Sequence, residues 1–328
     1  MPSVRNLVLL FFAAVSLPVY IVLLLMFYRR RHHQPYSTPF FTICISLGLA
    51  DIMNLLTSYV FIKMPSRGWF PAALILIIDS SWPNKLGYLS AFVFSNAQHF
   101  GGILLAYNRY TALSKPLQHV LIWSEKHLAC MIAVQWLAAL AVVLPVIGQQ
   151  FHVLTDGNGV YIRPQHTLTF QLFAFFTAVL FTLATIIVGV LYGLLFRRLS
   201  KENTTLPLVV IQSSNRTGGP RRQKSGLKVD NKANLGRSQI GTRREDKMEA
   251  ERNYQLHLAV IGLSIFVVML LFALFLWFFI LGTLVGLSLA NYDFFTVISD
   301  VYCWINPWIL LSSRKIRNDL AKFVLHKS

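Results

Sequence analysis

GYLSAFVFSNAQHFGGILLAYNRY, residues 87–110, holds no lysine, aspartate or glutamate and meets its one arginine next to last. About twenty mostly apolar residues suffice for a helix to cross the roughly 30 Å of bilayer hydrocarbon. Here the first charge arrives where such a crossing would end. The stretch therefore reads as a membrane-spanning helix whose cytoplasmic end is marked by Asn108, Arg109 and Tyr110.

The rest of the chain repeats the pattern. Of 328 residues, 55% are hydrophobic and 13% charged, whereas a soluble domain carries roughly 25% charge. Apolar stretches at about 7–28, 40–62, 86–107, 127–147, 168–196, 254–280 and 288–311 predict an all-α membrane protein, a seven-transmembrane helix bundle forming one domain over 1–311. The first stretch continues well past the length of a signal-peptide core and stops at Arg29-Arg30-Arg31, so it reads as an uncleaved helix. Ala72 to Ile78 is apolar but too short to cross, and reads as an interfacial or lid segment.

Charge sets direction. Of the thirty lysines and arginines, twenty-five fall in 29–31, 109–126, 197–253 and 312–328; the other five are Arg5, Lys63, Arg67, Lys85 and Arg163. Cations near span ends stay on the cytoplasmic side, which places the N-terminus outside and the C-terminus inside. Because the cations lie between or after apolar segments, they indicate a membrane rather than nucleic acid as the partner. The sequons at Asn203 and Asn215 then face the cytoplasm and are expected to carry no glycan.

The basic loop 197–253 is rich in Ser, Asn and Gly and is expected to be disordered over 212–247, with Lys247 to Arg252 beginning an inward extension of the sixth span. In 312–328, Ile316, Leu320, Phe323 and Val324 share one helical stripe, which predicts a short amphipathic cytoplasmic tail on the inner leaflet. Cys44, Cys130 and Cys303 all lie in apolar stretches and indicate no disulfide framework.

Polar residues inside spans are expensive and face the bundle interior. Asp51 is the deepest, with Asn54 one turn on and Ser46, Gly48 and Ala50 small enough for close helix approach. It reads either as a structural polar knot or as a cation or proton site. Pro307 predicts a kink in the last span, where Asn306 can bond to freed backbone or reach across to Asp51. Asp300, two turns earlier, can meet a ligand or pair internally. Gln98 is three turns before Arg109 and on its face. His99 is expected to be a satisfied, neutral interior residue, and Gly101-Gly102 either loosens the helix or admits a neighbouring backbone. Beyond Pro116, the aliphatic group Leu117, Val120, Leu121 and Ile122 beside Lys115 and His119 offers an apolar knob next to a charged switch, a surface suited to a cytoplasmic protein.

Taken in order, these motifs resemble the G-protein-coupled receptor superfamily, and within it the nematode serpentine chemoreceptors of the g/v group (Srg- and Srv-like), over about residues 5–325. Asp51 in LGLAD matches the second-helix aspartate, Asn108-Arg109-Tyr110 the triplet closing helix three, and Pro116-Leu117 the following loop motif. Trp136 matches the fourth-helix tryptophan and Asn306-Pro307 the Asn-Pro of helix seven. The chain departs from the pattern in four places. Asn108 replaces the usual acid, so resting closure must use other groups, Glu251 among the candidates. Leu310 stands in place of a tyrosine, span six lacks its Cys-Trp-x-Pro element, and the outside disulfide is missing.

The resemblance implies a plasma-membrane chemosensory receptor, in a sensory cilium in some cells, that binds a small molecule in the outer half of the bundle and activates a heterotrimeric G protein. The coupling switch would comprise Asn108, Arg109, Tyr110, Pro116, Leu117 and Glu251, and the intramembrane polar network Asp51, Asn54, Gln98, Asn306 and Pro307. Candidate ligand contacts are Phe92, Asn96, Phe173, Phe176, Trp277, Phe295 and Asp300, an aromatic majority that implies a mostly apolar ligand. With six residues before the first span, no folded outer domain is expected to capture a protein hormone. No metal, cofactor or enzymatic motif is indicated. The alternative is a transporter or ion channel using Asp51 and Asp300, although the two halves show no inverted repeat.

Overall fold

The computed structural model describes residues 4–66, 81–149, 151–156, 159–164, 167–216, 260–278, 280–281 and 290–325. It is a bundle of long helices. Helix α1 (Val4–Arg29) is followed after a short turn by α2 (Pro39–Ser58), which passes into a π-helical turn, Tyr59–Lys63, and a last α turn, Met64–Ser66. Helix α3 (Ser81–Ser114) is 34 residues long. The short α4 (Pro116–Ile122) and then α5 (Glu125–Ile147) follow. Beyond them come α6 (Thr167–Arg216), α7 (Val260–Phe278), α8 (Ala290–Leu311) and α9 (Arg314–Leu325).

Among the described residues, five helices are long and apolar enough to cross a membrane: Leu7–Arg29, Pro39–Lys63, Glu125–Ile147, Gln171–Arg198 and Val260–Phe278. Their surface composition supports the same conclusion. Phe11, Leu137, Leu144, Leu172, Leu183 and Phe278 are all exposed, and water would not tolerate an apolar surface this continuous. Helices close their own backbone hydrogen bonds and so can meet lipid along their whole length. The chain is an integral membrane protein.

Helix α3 is the hub, packing against α2, α5 and α6, while α1 packs against α2 and α8. One large apolar cluster runs through the bundle and includes Phe27, Phe41, Leu105, Phe181, Ile265, Met269 and Tyr302. At Gly101-Gly102 the close neighbours are side chains rather than the neighbouring backbone expected. A β-carbon on Gly101 would lie 2.8 Å from Gln135 Nε2 of α5, and one on Gly102 would lie 2.9 Å from Met269 Sδ of α7.

Three features differ from the sequence reading. An antiparallel hairpin, β1 (Phe151–Asp156) with β2 (Gly159–Pro164), pairs Phe151 with Pro164 and Asp156 with Gly159, so the fold is largely rather than wholly helical. Its signal was present in the composition: FHVLTD and GVYIRP are β-rich runs flanking Asp-Gly-Asn-Gly, a hairpin-turn sequence. Helix α6 continues to Arg216, through the first part of the loop 197–253 and into the stretch expected to be disordered from 212. Lys63, counted with the outer loop cations, instead ends the π turn inside the bundle at 4% exposure. A π turn adds a residue to the helical repeat and so rotates the side chains beyond it onto a different face.

The tail carries a helix, α9, and three residues of its apolar stripe pack on protein while Val324 is exposed. Ile316 is 1% exposed, and Leu320 and Phe323 join the core cluster. Asp319 ties it down, accepting a bond from the Tyr36 hydroxyl at 2.7 Å and pairing with Arg30 at 3.5 Å, while Arg29 lies 5.8 Å over the Phe323 ring. Ala72 to Ile78, the 217–247 part of the basic loop, and Lys247 to Arg252 with Glu251 lie outside the described residues.

Candidate functional site

Three polar layers lie along the bundle axis. The middle layer is built around Asp51. Asp51 Oδ2 accepts from the Tyr20 hydroxyl at 2.5 Å and from Asn306 Nδ2 at 2.6 Å, and Oδ1 accepts from Gln98 Nε2 at 2.7 Å. Gln98 Oε1 in turn accepts from Asn54 Nδ2 at 2.8 Å, whose own Oδ1 accepts from Ser58 at 3.2 Å. Cys303 Sγ lies 3.4 Å from Asn54 Nδ2. Asp51, Asn54, Gln98 and Asn306 are all buried, and with Tyr20 they join α1, α2, α3 and α8 through one carboxyl group. Gly48 makes this possible, because a β-carbon there would come within 3.0 Å of the Tyr20 ring. Beside this layer, Ser46 Oγ receives Trp136 Nε1 at 3.1 Å and donates to Gln135 Oε1 at 3.2 Å; Gln135 Nε2 donates to the Ala97 carbonyl at 2.9 Å.

A second layer lies toward the end of α2. The Lys63 ammonium donates to and pairs with Asp300, which also accepts from the Tyr59 hydroxyl at 3.2 Å. Asp300 is 0% exposed. Asp300 is thus paired internally, with a lysine of the same bundle. The partner, Lys63, escaped the sequence reading because a lysine next to a span end normally belongs to water.

The third layer is the Arg109 end. Arg109 is 3% exposed, donates through Nη2 to Asn108 Oδ1 at 2.8 Å, and lies 4.2 Å over the Phe40 ring. An amide carbonyl and an aromatic face are thus among the groups that hold this permanent cation. Thr111, one turn beyond Asn108, is a junction that sequence alone did not reveal. Its Oγ accepts from Trp123 Nε1 at 2.8 Å and lies 3.0 Å from His119 Nδ1, fastening α4 to the end of α3. Partial burial, and secondarily the charge of Arg109, lower the His119 pKa from its ordinary value. Tyr110 is half-buried and Pro116 exposed. Leu117, Val120 and Leu121 are exposed by 88%, 72% and 73%, while Ile122 packs on the core.

The candidate ligand residues separate. Phe92 meets Phe173 edge-to-face with centroids 5.2 Å apart, and buried Asn96 lies one turn from Phe92 on α3. Phe176 is 49% exposed on the outside of the bundle and does not join them. Trp277 donates through Nε1 to Thr182 at 2.8 Å and stands edge-on to Phe175, linking α7 to α6. The Phe295 side chain lies outside the described residues. His99 is stacked on Phe181 with centroids 3.6 Å apart and flanked by Phe272 and Tyr302. Its Nδ1 bonds the Ser95 carbonyl at 2.8 Å, but Nε2 has no hydrogen-bond partner among the described residues. The expectation of a satisfied interior histidine therefore holds for one nitrogen only. Among the described residues, no cluster of three or more His, Cys, Asp or Glu could hold a metal ion.

A membrane-embedded helix bundle, cross-tied on an interior aspartate and closed at one end by a buried arginine, has the architecture of a serpentine receptor. The chain belongs to the serpentine type 7TM GPCR chemoreceptor Srv family, whose model matches residues 9–326. It is 31% identical to serpentine receptor class V-1 of Caenorhabditis elegans over 188 residues, 56% of this chain and 60% of that relative. Shorter similarities reach 5-hydroxytryptamine receptor 2B of Dichotomyctere fluviatilis, 30% over 144 residues (40% of this chain, 31% of the relative), and human olfactory receptor 6C68, 35% over 69 residues (21% and 22%). The aligned part spans about three fifths of the nematode relative's length and less of the other two. The family is one of receptors, not enzymes.

Proposed function

We propose that the chain is a seven-span chemosensory receptor, N-terminus outside and C-terminus inside, that binds a small molecule within the bundle and activates a heterotrimeric G protein at its cytoplasmic end. Its place is the plasma membrane, the sensory cilium included. The orientation is supported by the cations, which collect at one end: Arg29 and Arg30 meet α9 there, and Arg109 meets Phe40.

The observation that carries the coupling role is the pairing of an enclosed arginine with an open apolar knob. Arg109 is buried, with the Asn108 amide and the Phe40 ring among its contacts, while Leu117, Val120 and Leu121 are exposed on the short helix that follows. Exposed aliphatic side chains at a helix bordered by Lys115 form the apolar centre and polar rim of a protein-docking surface. In this reading Asn108, Arg109, Tyr110, Pro116 and Leu117 act together, with Glu251 as a further contact.

Ligand binding favours a packing in which the ends of α6 and α7 lie farther from Arg109, and it does so only through unequal affinity for the two packings. Phe92, Asn96 and Phe173 are the ligand contacts that lie together. Asp300, already paired with Lys63, tunes the site rather than anchoring an amine.

Purified receptor in nanodiscs, tested for ligand-stimulated nucleotide exchange, decides the matter. Arg109→Ala is expected to insert normally and lose exchange, and Leu117→Asp to weaken exchange at least tenfold with unchanged ligand binding. Normal exchange by Arg109→Ala would refute the coupling role.

A further inference from the structure

Two buried acceptors on α3 have no donor among the described residues. Asn96 is 0% exposed; its Nδ2 donates to the Phe92 carbonyl at 2.8 Å, and its Oδ1 has no partner among the described residues. His99, also 0% exposed, comes three residues later on the same helical face. A carbonyl only accepts, so the 2.8 Å contact from His99 Nδ1 to Ser95 places the ring proton on Nδ1. In the neutral ring, Nε2 is then a bare acceptor, and it too has no partner among the described residues.

A buried polar atom without a partner costs about as much as a hydrogen bond is worth, and such atoms are rare in native proteins. Of the seven such atoms of the described residues, these are two acceptors one helical turn apart on one span. The Ser95 carbonyl is already part of the helix backbone, so the histidine adds little to fold stability that a phenylalanine would not. Rings stand near both: Phe92, whose carbonyl receives Asn96, meets Phe173, and Phe181, Phe272 and Tyr302 surround His99. Phe181 covers one imidazole face in parallel stacking, which leaves the ring edge as the route to Nε2.

We propose that Asn96 Oδ1 and His99 Nε2 are the polar floor of the ligand site, and that its ligand is a neutral, largely apolar molecule presenting a hydroxyl or N–H donor. This rests on the reading of the bundle as a ligand-binding receptor and specifies the chemistry. Two acceptors with no facing donor among the described residues select for a donor and against a carboxylate, ketone or ether at that point. The aromatic walls match a flat apolar body. Selectivity of this kind is steep, because an analogue that lacks the donor leaves the buried acceptors unpaired.

The test uses full-length receptor in nanodiscs and two matched probe pairs: indole with 1-methylindole, and benzyl alcohol with benzyl methyl ether. Within each pair, methylation removes the donor and keeps the body. The parent compounds are expected to bind at least tenfold more tightly than their methylated partners, and to move the ¹⁵Nε2 resonance of His99 toward that of a hydrogen-bonded acceptor. Asn96→Leu and His99→Phe are each expected to lose about tenfold in affinity for the parents, while the probe-free variants unfold no more easily than the parent protein.

Equal binding within the pairs, or no binding by either parent, overturns the proposal. So does a probe-free Nε2 resonance already at the hydrogen-bonded position, which would assign the floor to internal water. Easier unfolding of both probe-free variants would make the residues structural and overturns it as well. No readout involves a G protein. A receptor that discriminates the probes but never drives exchange refutes the coupling function alone, and one that exchanges normally but treats the pairs alike refutes this subsite alone.

Discussion

Replacing Lys63 with methionine keeps the length of the side chain and removes its charge, leaving Asp300 with the Tyr59 hydroxyl at 3.2 Å in a site of 0% exposure. Removing one partner of a buried ion pair costs about 3–5 kcal/mol, most of it the penalty of the stranded charge. Asp300→Leu is expected to cost less, since the ammonium it strands lies 4.9 Å over the Tyr59 ring, a contact worth about 0.5–2 kcal/mol. The double variant, Lys63→Met with Asp300→Leu, strands no charge and removes only the acceptor of the Tyr59 hydroxyl, so it should lie near the parent, because apolar replacement of a buried pair is neutral or stabilising by about 1–4 kcal/mol. The order expected is therefore Lys63→Met least stable, Asp300→Leu intermediate, and the double variant close to the parent. Equilibrium unfolding of the four proteins in mixed micelles measures the cycle. Costs that simply add, with the double variant the least stable of all, would refute the claim that this pair is a buried, coupled unit.

Other expectations come from the same geometry. Tyr20→Phe removes a 2.5 Å bond to Asp51 without changing the ring, and should cost about 1–3 kcal/mol in the same unfolding assay; no measurable cost would mean that the α1 link is idle. Gly101→Val must displace Gln135, whose Nε2 would be 2.8 Å from the new β-carbon and also holds the Ala97 carbonyl; a loss of about 1–3 kcal/mol is expected, and a neutral result would show that α3 and α5 separate freely there. His119, lowered below its ordinary pKa, stays neutral through physiological pH. The stability that its neutral form lends α4 is present above the ordinary histidine range and lost as pH falls through the lowered folded value. Hydrogen exchange across 116–122 should therefore quicken only under acid conditions, and His119→Phe should flatten the profile.

The apolar spans were legible because hydrophobicity is a local property that lipid reads directly. The expected 7–28, 40–62, 127–147 and 168–196 coincide closely with Leu7–Arg29, Pro39–Lys63, Glu125–Ile147 and Gln171–Arg198. The family was legible too, from motifs whose order at helix ends is itself one-dimensional information. The hairpin could have been read from Asp-Gly-Asn-Gly between two β-rich runs. Lys63 could not, since its facing depends on a π turn that no composition announces.

By itself, then, the sequence determined which segments are apolar, at which end the cations gather, and that Arg109 closes a helix beside an aliphatic knob. Tertiary structure decided which polar groups meet. Each residue turns a helix face by about 100°, so partners such as Tyr20 with Asp51, Lys63 with Asp300, and Trp123 with Thr111 depend on how several helices are rotated against each other. The same rotation buries Asn96 Oδ1 and His99 Nε2 among rings, with no donor opposite among the described residues, a fact about the space between helices rather than about either residue.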